Sequence, residues 1–372
     1  MLVPMLKSLS LNIYPSDLSH CESMPHIAKE LTGRTVFVTG GDGFVGSHLV
    51  DRLVEIGADV RVFVESTAHG ALTNIPHQVH NVKILRGNLV DIHSVFLAVK
   101  SLKDCYDRPY IFHLGAQAHV GESWERPLET LNTNIIGTFN LLQSIIDAGI
   151  EIEKFDYAGT SEEYGGPKDL NSTDDQLIYL DEESPVSPRS IYATSKLAGD
   201  FLTMNFFHAY GLPTVVTRMF NNYGPRQSPR YVTGTIITQA LHRDKIFLGN
   251  VTARRDFCFI SDGVLGHIHT TVKGEPGEIY CYGYGKDISI KEWAELIVRV
   301  GKENGFWGNK EILSVKERFR PGTSDITRLK VGYDKLHKLT GWRPQVTWEE
   351  GILRTIKWYA EEKDKWFALK DW

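Results

Sequence analysis

Thr35-Val36-Phe37-Val38-Thr39-Gly40-Gly41-Asp42-Gly43-Phe44-Val45-Gly46 is the stretch that decides how this chain folds. The first five residues are β-branched or aromatic and read as a buried strand, whereas Gly43 to Ile56 carries the spacing of a helix. Glycines at 40, 43 and 46 lie between the two. Gly40 permits the tight turn, Gly43 lets backbone amides approach a pyrophosphate, and Gly46 allows the helix to pack closely. A glycine triplet alone is a weak signal that a plain tight loop also satisfies. Flanked by a strand and a helix, it reads as a dinucleotide-binding turn.

Working outward, Val60 to Val64, Val82 to Leu85, Tyr110 to Leu114, Phe155 to Ala158 and Thr214 to Arg218 are further short apolar runs with the character of buried parallel strands. Helical periodicity separates them at Ile92 to Leu102, Asn134 to Ala148 and Ile191 to Ala209. The pattern predicts an α/β fold with a Rossmann-type doubly wound, mostly parallel sheet, and reactive side chains beyond the carboxyl ends of its strands. Beyond Asn221 the prolines at 225, 229, 276 and 321 break the pattern into short elements, with helices near Ile290 to Val300 and Trp348 to Ala360. The expected division is an N-terminal extension over 1–32, a dinucleotide-binding domain over 33–220 with segments near 246–282 returning to it, and a smaller α/β substrate-binding domain over 221–372. The extension is expected to pack on the surface or on a partner subunit, or to form an unstructured tail.

Of 372 residues, 42% are apolar and 23% charged, ordinary values for a folded chain long enough for about two domains. Lys and Arg total 41 against 46 Asp and Glu, a net charge of -5, so no global positive field exists to hold nucleic acid or an anionic membrane surface. Anion binding then falls to local arginines. Cys21, Cys105, Cys258 and Cys281 have no short paired spacing, so neither a metal site nor a disulfide framework is expected and a reducing cytoplasm fits best. No stretch reads as a signal peptide or a membrane span.

Two segments carry chemistry. Tyr192 and Lys196 are four residues apart on one predicted helix and share a face, so the ammonium is placed to lower the phenol's pKa and make it a base for alcohol oxidation. Thr160-Ser161-Glu162-Glu163-Tyr164 follows a predicted strand. A carboxylate there supplies a second base, able to remove a proton from the carbon beside a newly formed ketone, so the combination points to elimination. Strand alternation is expected to turn Glu163 away from the side that Glu162 occupies. Glu65, at the end of the second strand, is positioned to accept bonds from both adenosine ribose hydroxyls and to repel a 2'-phosphate, which favours NAD over NADP. Arg226 and Arg255 are candidates for a diphosphate, which suits a bidentate guanidinium.

From residue 33 to about 360 the chain resembles the extended short-chain dehydrogenase/reductases that act on nucleotide sugars. The resemblance rests on the glycine loop, Ala116-Gln117-Ala118-His119-Val120, Asn134 with Gly137-Thr138, Thr160 to Gly165, Tyr192 to Lys196, and Asn221-Asn222-Tyr223-Gly224-Pro225-Arg226-Gln227. Within that group, Thr-Ser-Glu-x-Tyr-Gly resembles the sugar-nucleotide 4,6-dehydratases, GDP-mannose 4,6-dehydratase in particular, as does Leu248-Gly249-Asn250 leading to Arg254-Arg255-Asp256.

The resemblance implies that Tyr192 takes the sugar 4-hydroxyl proton, that Lys196 holds the cofactor ribose, that Thr160 bonds the reacting oxygen, and that Glu162 abstracts the C5 proton. It implies NAD, with NADP as the alternative, held by Gly40, Gly43, Phe44, Val45, Gly46, Glu65, Asn88, Leu89, Gly115, Ala116, Gln117 and Asn134 together with the Tyr192/Lys196 pair. It further implies that the nucleotide sugar meets His119, Ser123, Asn221, Asn222, Arg226, Arg255 and Arg320, and that a homodimer or homotetramer forms through helices 134–148 and 191–209. One position departs from part of the family: Ser161 stands where dTDP-glucose 4,6-dehydratases have an Asp that protonates the leaving hydroxyl. GDP-mannose dehydratases share the Ser, and Glu65 stands near where they often carry Arg. A sugar 4-epimerase, a UDP-glucuronate decarboxylase and a non-catalytic dinucleotide-binding sensor remain competing readings.

Overall fold

A computed structural model of the chain describes residues 24–166 and 179–367. Its strands are β1 (Thr35–Thr39), β2 (Asp59–Glu65), β3 (Lys83–Gly87), β4 (Tyr110–His113), β5 (Lys154–Thr160), β6 (Thr214–Met219), β7 (Asn221–Tyr223), β8 (Lys245–Leu248), β9 (Arg254–Phe259), β10 (Glu278–Tyr282), β11 (Asp287–Ser289) and β12 (Glu311–Ser314). Its first helices are α1 (Met24–Leu31), α2 (Phe44–Ile56), α3 (Ile92–Lys100), α4 (Val120–Glu125), α5 (Pro127–Leu131), α6 (Gly137–Ala148) and α7 (Ile191–Tyr210). They are followed by α8 (Val232–His242), α9 (Ile260–Lys273), α10 (Ile290–Glu303), α11 (Asp334–Thr340), α12 (Trp348–Glu361) and α13 (Lys363–Trp366).

Seven strands form one sheet in the order β10-β6-β5-β4-β1-β2-β3, and every pairing in it is parallel. All residues of β1 and β5 are buried because helices cover both faces. Successive residues of β1 point to opposite sides: Val36 and Val38 join α1, α2 and α9, while Phe37 joins α3, α6 and α7. The chain leaves β1 toward β2 and β3 and re-enters the sheet on β1's other side at β4. That reversal opens a crevice at the carboxyl ends of β1 and β4.

The rest of the chain builds a second layer over those strand ends. β9 pairs in parallel with β7 and antiparallel with β11, and β8 pairs in parallel with β12. Phe257 stacks on Trp293 with ring centroids 4.3 Å apart, and Tyr223 and Trp348 meet Trp293 edge-on at 5.0 and 5.7 Å. These large rings give the small lobe its own apolar centre.

Two expectations are corrected in detail. Residues 1–23 of the expected extension lie outside the described residues, and α1 packs on the large lobe, with Ile27 and Leu31 fully buried against α2 and α9. Of the segment near 246–282, β10 does enter the large sheet, whereas β8 and β9 pair in the smaller ones. The helix expected from Asn134 begins with a π-helical turn, Asn132–Ile136, before α6.

Candidate active site

A cleft of about 1070 Å³ lies between the large sheet and the smaller lobe, floored by the glycine loop and walled by the end of β5, α7 and residues of β7 to β9. The glycine loop has its shape for steric reasons. Gly40 has φ of 68°, and a Cβ there would stand 2.7 Å from the Gly115 backbone; one at Gly46 would stand 2.2 Å from the Gly40 carbonyl oxygen. Among the described residues no side chain caps the N-terminus of α2, which follows Gly43 and borders the cleft through Phe44, Val45 and Gly46. Asp42 turns away and accepts bonds from the Thr73, Asn74 and Ile75 amides at 2.8, 2.7 and 3.1 Å, tying the next loop down.

Gly115 and Ala116 line the cleft beside this loop. Gln117 and Asn134 do not reach it. Asn134 donates to the Gln117 carbonyl and to Ser195 Oγ, both at 2.9 Å, and accepts from the Gln117 amide at 2.8 Å. It therefore staples the 115–117 loop to α7 and positions the site without lining it. Asn88 accepts from the Val90 amide at 2.8 Å, the Leu89 side chain packs close to Gly115 and Gly137, and Glu65 stands exposed at the end of β2. None of these three lines the cleft.

At the end of β5 the chain leaves the strand through a 3₁₀ turn over Ser161–Tyr164. Thr160 Oγ1 accepts from the Glu162 amide at 3.3 Å, and Glu163 reaches back to accept from the Thr160 amide at 2.9 Å, a reciprocal cap. This turn, rather than strand alternation, separates the two neighbouring glutamates. Glu162 faces the cleft. Glu163 points into the interior and pairs with Arg218 at 3.0 Å, while Arg218 also pairs with Asp200 at 2.8 Å. Burial and the Asp200 charge raise the Glu163 pKa well above the ordinary carboxylate range.

Tyr192 and Lys196 lie on the cleft face of α7, whose first turn is capped by Ser190 accepting from the Ala193 amide at 3.0 Å. The Lys196 ammonium sits 4.2 Å from the centre of the Tyr157 ring, and burial lowers its pKa against the pull of Glu163, Asp200 and Asp156. Burial likewise raises Tyr192, and the hydrogen bond with Thr160 opposes that rise. In this state the phenol is thus held protonated, and the group that counters the rise is Thr160.

Across the cleft, Glu162 is buried and held as a carboxylate. Arg320 Nη1 and Nη2 donate to its two oxygens at 3.0 and 3.1 Å. Burial pushes its pKa up, but Arg320, joined by Arg255, overcomes this and leaves it below the ordinary range. Arg255 is buried, donating to the Arg254 and Ile326 carbonyls at 2.9 and 2.8 Å and lying 3.5 Å from Asp325. Asn221, Asn222 and His119 line the cleft, with His119 edge-on to Tyr231 at 5.3 Å and its Nδ1 accepting from the Glu122 amide.

Two substrate candidates are corrected. Ser123 is fully buried and donates to the Val120 carbonyl at 2.7 Å, so it is part of the α4 scaffold. Arg226 borders the cleft, but its charge is met by Asp51 of α2 at 2.7 Å, and His48 bonds the neighbouring Pro225 carbonyl at 2.9 Å. The 221–227 segment is thus clasped to the glycine-loop helix. Arg226 is the one non-glycine residue with a left-handed backbone among the described residues, at φ of 67°.

Sequence reasoning missed Asp325 and Tyr231, and also Trp358 and Trp366, which line the far wall. They belong to no chemical motif, and only the return of the C-terminal chain over the cleft brings the last two there.

The chain is similar over most of its length to known nucleotide-sugar enzymes. The family model for GDP-mannose 4,6 dehydratase matches residues 37–355. The chain is 33% identical to dTDP-D-glucose 4,6-dehydratase of Mus musculus over 338 residues, 90% of each chain. It is 29% identical to dTDP-glucose 4,6-dehydratase of Escherichia coli, over 90% of this chain and 96% of that one. Among solved structures, dTDP-glucose 4,6-dehydratase from Bacillus anthracis in complex with NAD superposes with a TM-score of 0.76 at 27% identity, covering 91% of this chain and 100% of that one. UDP-glucose 4-epimerase from Thermus thermophilus with NAD gives 0.75 at 28% identity, covering 88% and 99%.

Proposed function

The chain belongs to the GDP-mannose 4,6-dehydratase family, and from that premise we propose that it is a nucleotide-sugar 4,6-dehydratase converting a nucleoside-diphosphate hexose to the 4-keto-6-deoxy sugar. The observation that carries this reading is that Glu162, at the end of β5, and Tyr192, on α7, border one cleft beside the glycine loop. An alcohol oxidation alone requires the Tyr192/Lys196 pair; the carboxylate gives the site a second base.

The residues fit a dinucleotide: a loop too tight for any Cβ at Gly46, and an uncapped helix terminus for a pyrophosphate. NAD, when bound, would accept the hydrogen of sugar C4 as hydride and return it to C6. Tyr192, with Thr160, would take the C4 hydroxyl proton. Lys196 would hold the ribose. Glu162 would remove the C5 proton made acidic by the 4-keto group and pass a proton to the departing C6 hydroxyl, so that one water leaves. With the hydride returned to C6, and the proton that Tyr192 took from the C4 hydroxyl released to solvent while an equivalent solvent proton is delivered to C5, the atoms close on the loss of one water and no external oxidant is consumed. Glu65, exposed as the last residue of β2, supports NAD over NADP through repulsion of a 2'-phosphate.

For the nucleotide we favour a GDP-hexose, because Ser161 lines the cleft where the resemblance puts an acidic Asp in dTDP-glucose dehydratases. The relatives quoted above carry dTDP names, which makes dTDP-glucose the second substrate to try. A dimer through α6 and α7 belongs to the same reading, with exposed Ile136, Phe139 and Phe201 on this side of the large sheet.

Mass spectrometry of the protein with GDP-, dTDP-, UDP- and CDP-sugars, without added reductant, tests the proposal. Loss of one water, abolished in Glu162→Gln, is the expected result. An unchanged mass with an isomerised sugar, or loss of carbon dioxide from a uronic acid, would replace it with epimerase or decarboxylase chemistry.

A further inference from the structure

Glu162 is in the wrong state for a base. Both of its oxygens accept from Arg320, at 3.0 and 3.1 Å; the carboxylate is buried and the guanidinium is partly exposed to the cleft. Taking a proton in this arrangement would leave a guanidinium facing a neutral acid. The contact is no accident of the local chain, since the two residues are 158 positions apart.

The surrounding charges are divided unequally. Arg255 is anchored by the Arg254 and Ile326 carbonyls, at 2.9 and 2.8 Å. Among the described residues, Arg320 has carboxylates as its side-chain partners: Glu162, and Asp325 at the longer distance of 3.8 Å. Asp325 is itself held by Asn250 at 2.7 Å. Arg255 and Arg320 are close enough to repel, Arg320 contributing to the lowered pKa of Arg255. Two guanidiniums thus share two carboxylates in one cleft wall, one guanidinium fixed by main chain and one free to change partner. A diphosphate offers Arg320 the same bidentate acceptor with more charge.

We propose that Arg320 is a displaceable mask on Glu162: a nucleoside diphosphate entering the cleft draws off its guanidinium, and only then are both carboxylate oxygens free to accept a proton. Substrate binding and exposure of the base become one event. A site holding only the dinucleotide keeps its carboxylate covered, so the base acts only when the sugar is present. The inference takes the task of Glu162 from the dehydratase reading; the exchange itself requires only that a nucleoside diphosphate binds.

The test is a ¹³C NMR titration of the full chain labelled at the glutamate carboxyl carbon, with the Glu162 signal assigned by its loss in Glu162→Gln. It is run alone, with GDP and with dTDP. Removing an opposite charge at this range is expected to raise the Glu162 midpoint by about one to three pH units when nucleotide binds. In Arg320→Gln the midpoint starts high and nucleotide moves it no further; in Arg320→Lys, which keeps the charge without the fork, it starts between the two. The same exchange separates the acid limbs of kcat/KM and kcat in the wild type and merges them in Arg320→Gln. A wild-type midpoint unmoved by either nucleotide, or an equal rise in Arg320→Gln, overturns the mask whatever the enzyme makes. A wild-type shift without a dehydrated product from any sugar sinks the dehydratase reading and leaves the mask standing.

Discussion

The glycine loop and the arginine–carboxylate cluster face each other across one cleft and are built in opposite ways. The loop is a single run, Gly40 to Gly46, whose shape follows from which positions lack a Cβ. The cluster gathers Glu162, Arg255, Arg320 and Asp325 from three separate segments, and its properties follow from which charge meets which. The first is a steric device, tolerant of its surroundings and intolerant of added atoms. The second is electrostatic, so removing one charge changes the state of every other.

The largest effect is expected from breaking the cluster. Glu162→Gln should lower turnover by about 10²- to 10⁴-fold, the usual worth of a positioned acid or base, while NAD affinity, measured by fluorescence titration, stays near the wild-type value. Loss of NAD binding in that variant would mean that the two regions are not independent. Breaking the loop should do the reverse. Gly46→Val forces a Cβ to within 2.2 Å of the Gly40 carbonyl, and should cost about 1–3 kcal/mol and weaken NAD by about 10- to 100-fold.

A smaller effect is expected at the staple behind the loop. Asn134→Ala strands the Gln117 amide and carbonyl. Leaving such groups unsatisfied costs about 1–3 kcal/mol, read from denaturant unfolding. Because Asn134 does not line the cleft, NAD affinity should fall less than in Gly46→Val.

The smallest effect per step is in pH, and its sign differs between the two halves. His48, at the clasp on α2, and His113, under the loop, are pushed down to about 3 by burial, with Arg226 and Lys196 adding to it. The unfolded chain binds these protons below about pH 6.5 and the native chain does not, so stability falls as pH drops, by at most about 1.4 kcal/mol per unit for each histidine. Asp256, in β9 of the small lobe, is pushed up to about 7, chiefly by burial. The native chain keeps a proton that the unfolded chain releases near pH 4, so this group lowers stability as pH rises from about 4 to 7. Measured as stability relative to the wild type between pH 4 and 8, His48→Gln should gain as pH falls below about 6.5, and Asp256→Asn should gain as pH rises from about 4 to 7. A relative gain in the opposite direction reverses the assignment.

Legibility in the sequence follows the same division. The strands, the glycine loop and the Tyr192/Lys196 face were readable because periodicity and missing side chains act over a few residues. Asn134 reads as a cofactor contact because an amide that binds a ligand and one that staples a loop leave the same letter. Arg226 reads as a diphosphate ligand because a charge count does not see Asp51 on another element. Glu163 was correctly set apart from Glu162, yet for the wrong reason, since the reciprocal cap with Thr160 makes a turn where a strand was expected.

By itself the sequence determined the parallel sheet, the turn that admits a pyrophosphate, and the set of acid–base side chains available for chemistry. Only the tertiary structure decided their charge states and partners: that Arg320 covers Glu162, that Arg226 is neutralised, and that Glu163 is sealed in with Asp200 and Arg218. Backbone geometry is set by neighbours along the chain. Electrostatic state is set by burial and by charges within a few ångströms, and those neighbours come from anywhere in the sequence.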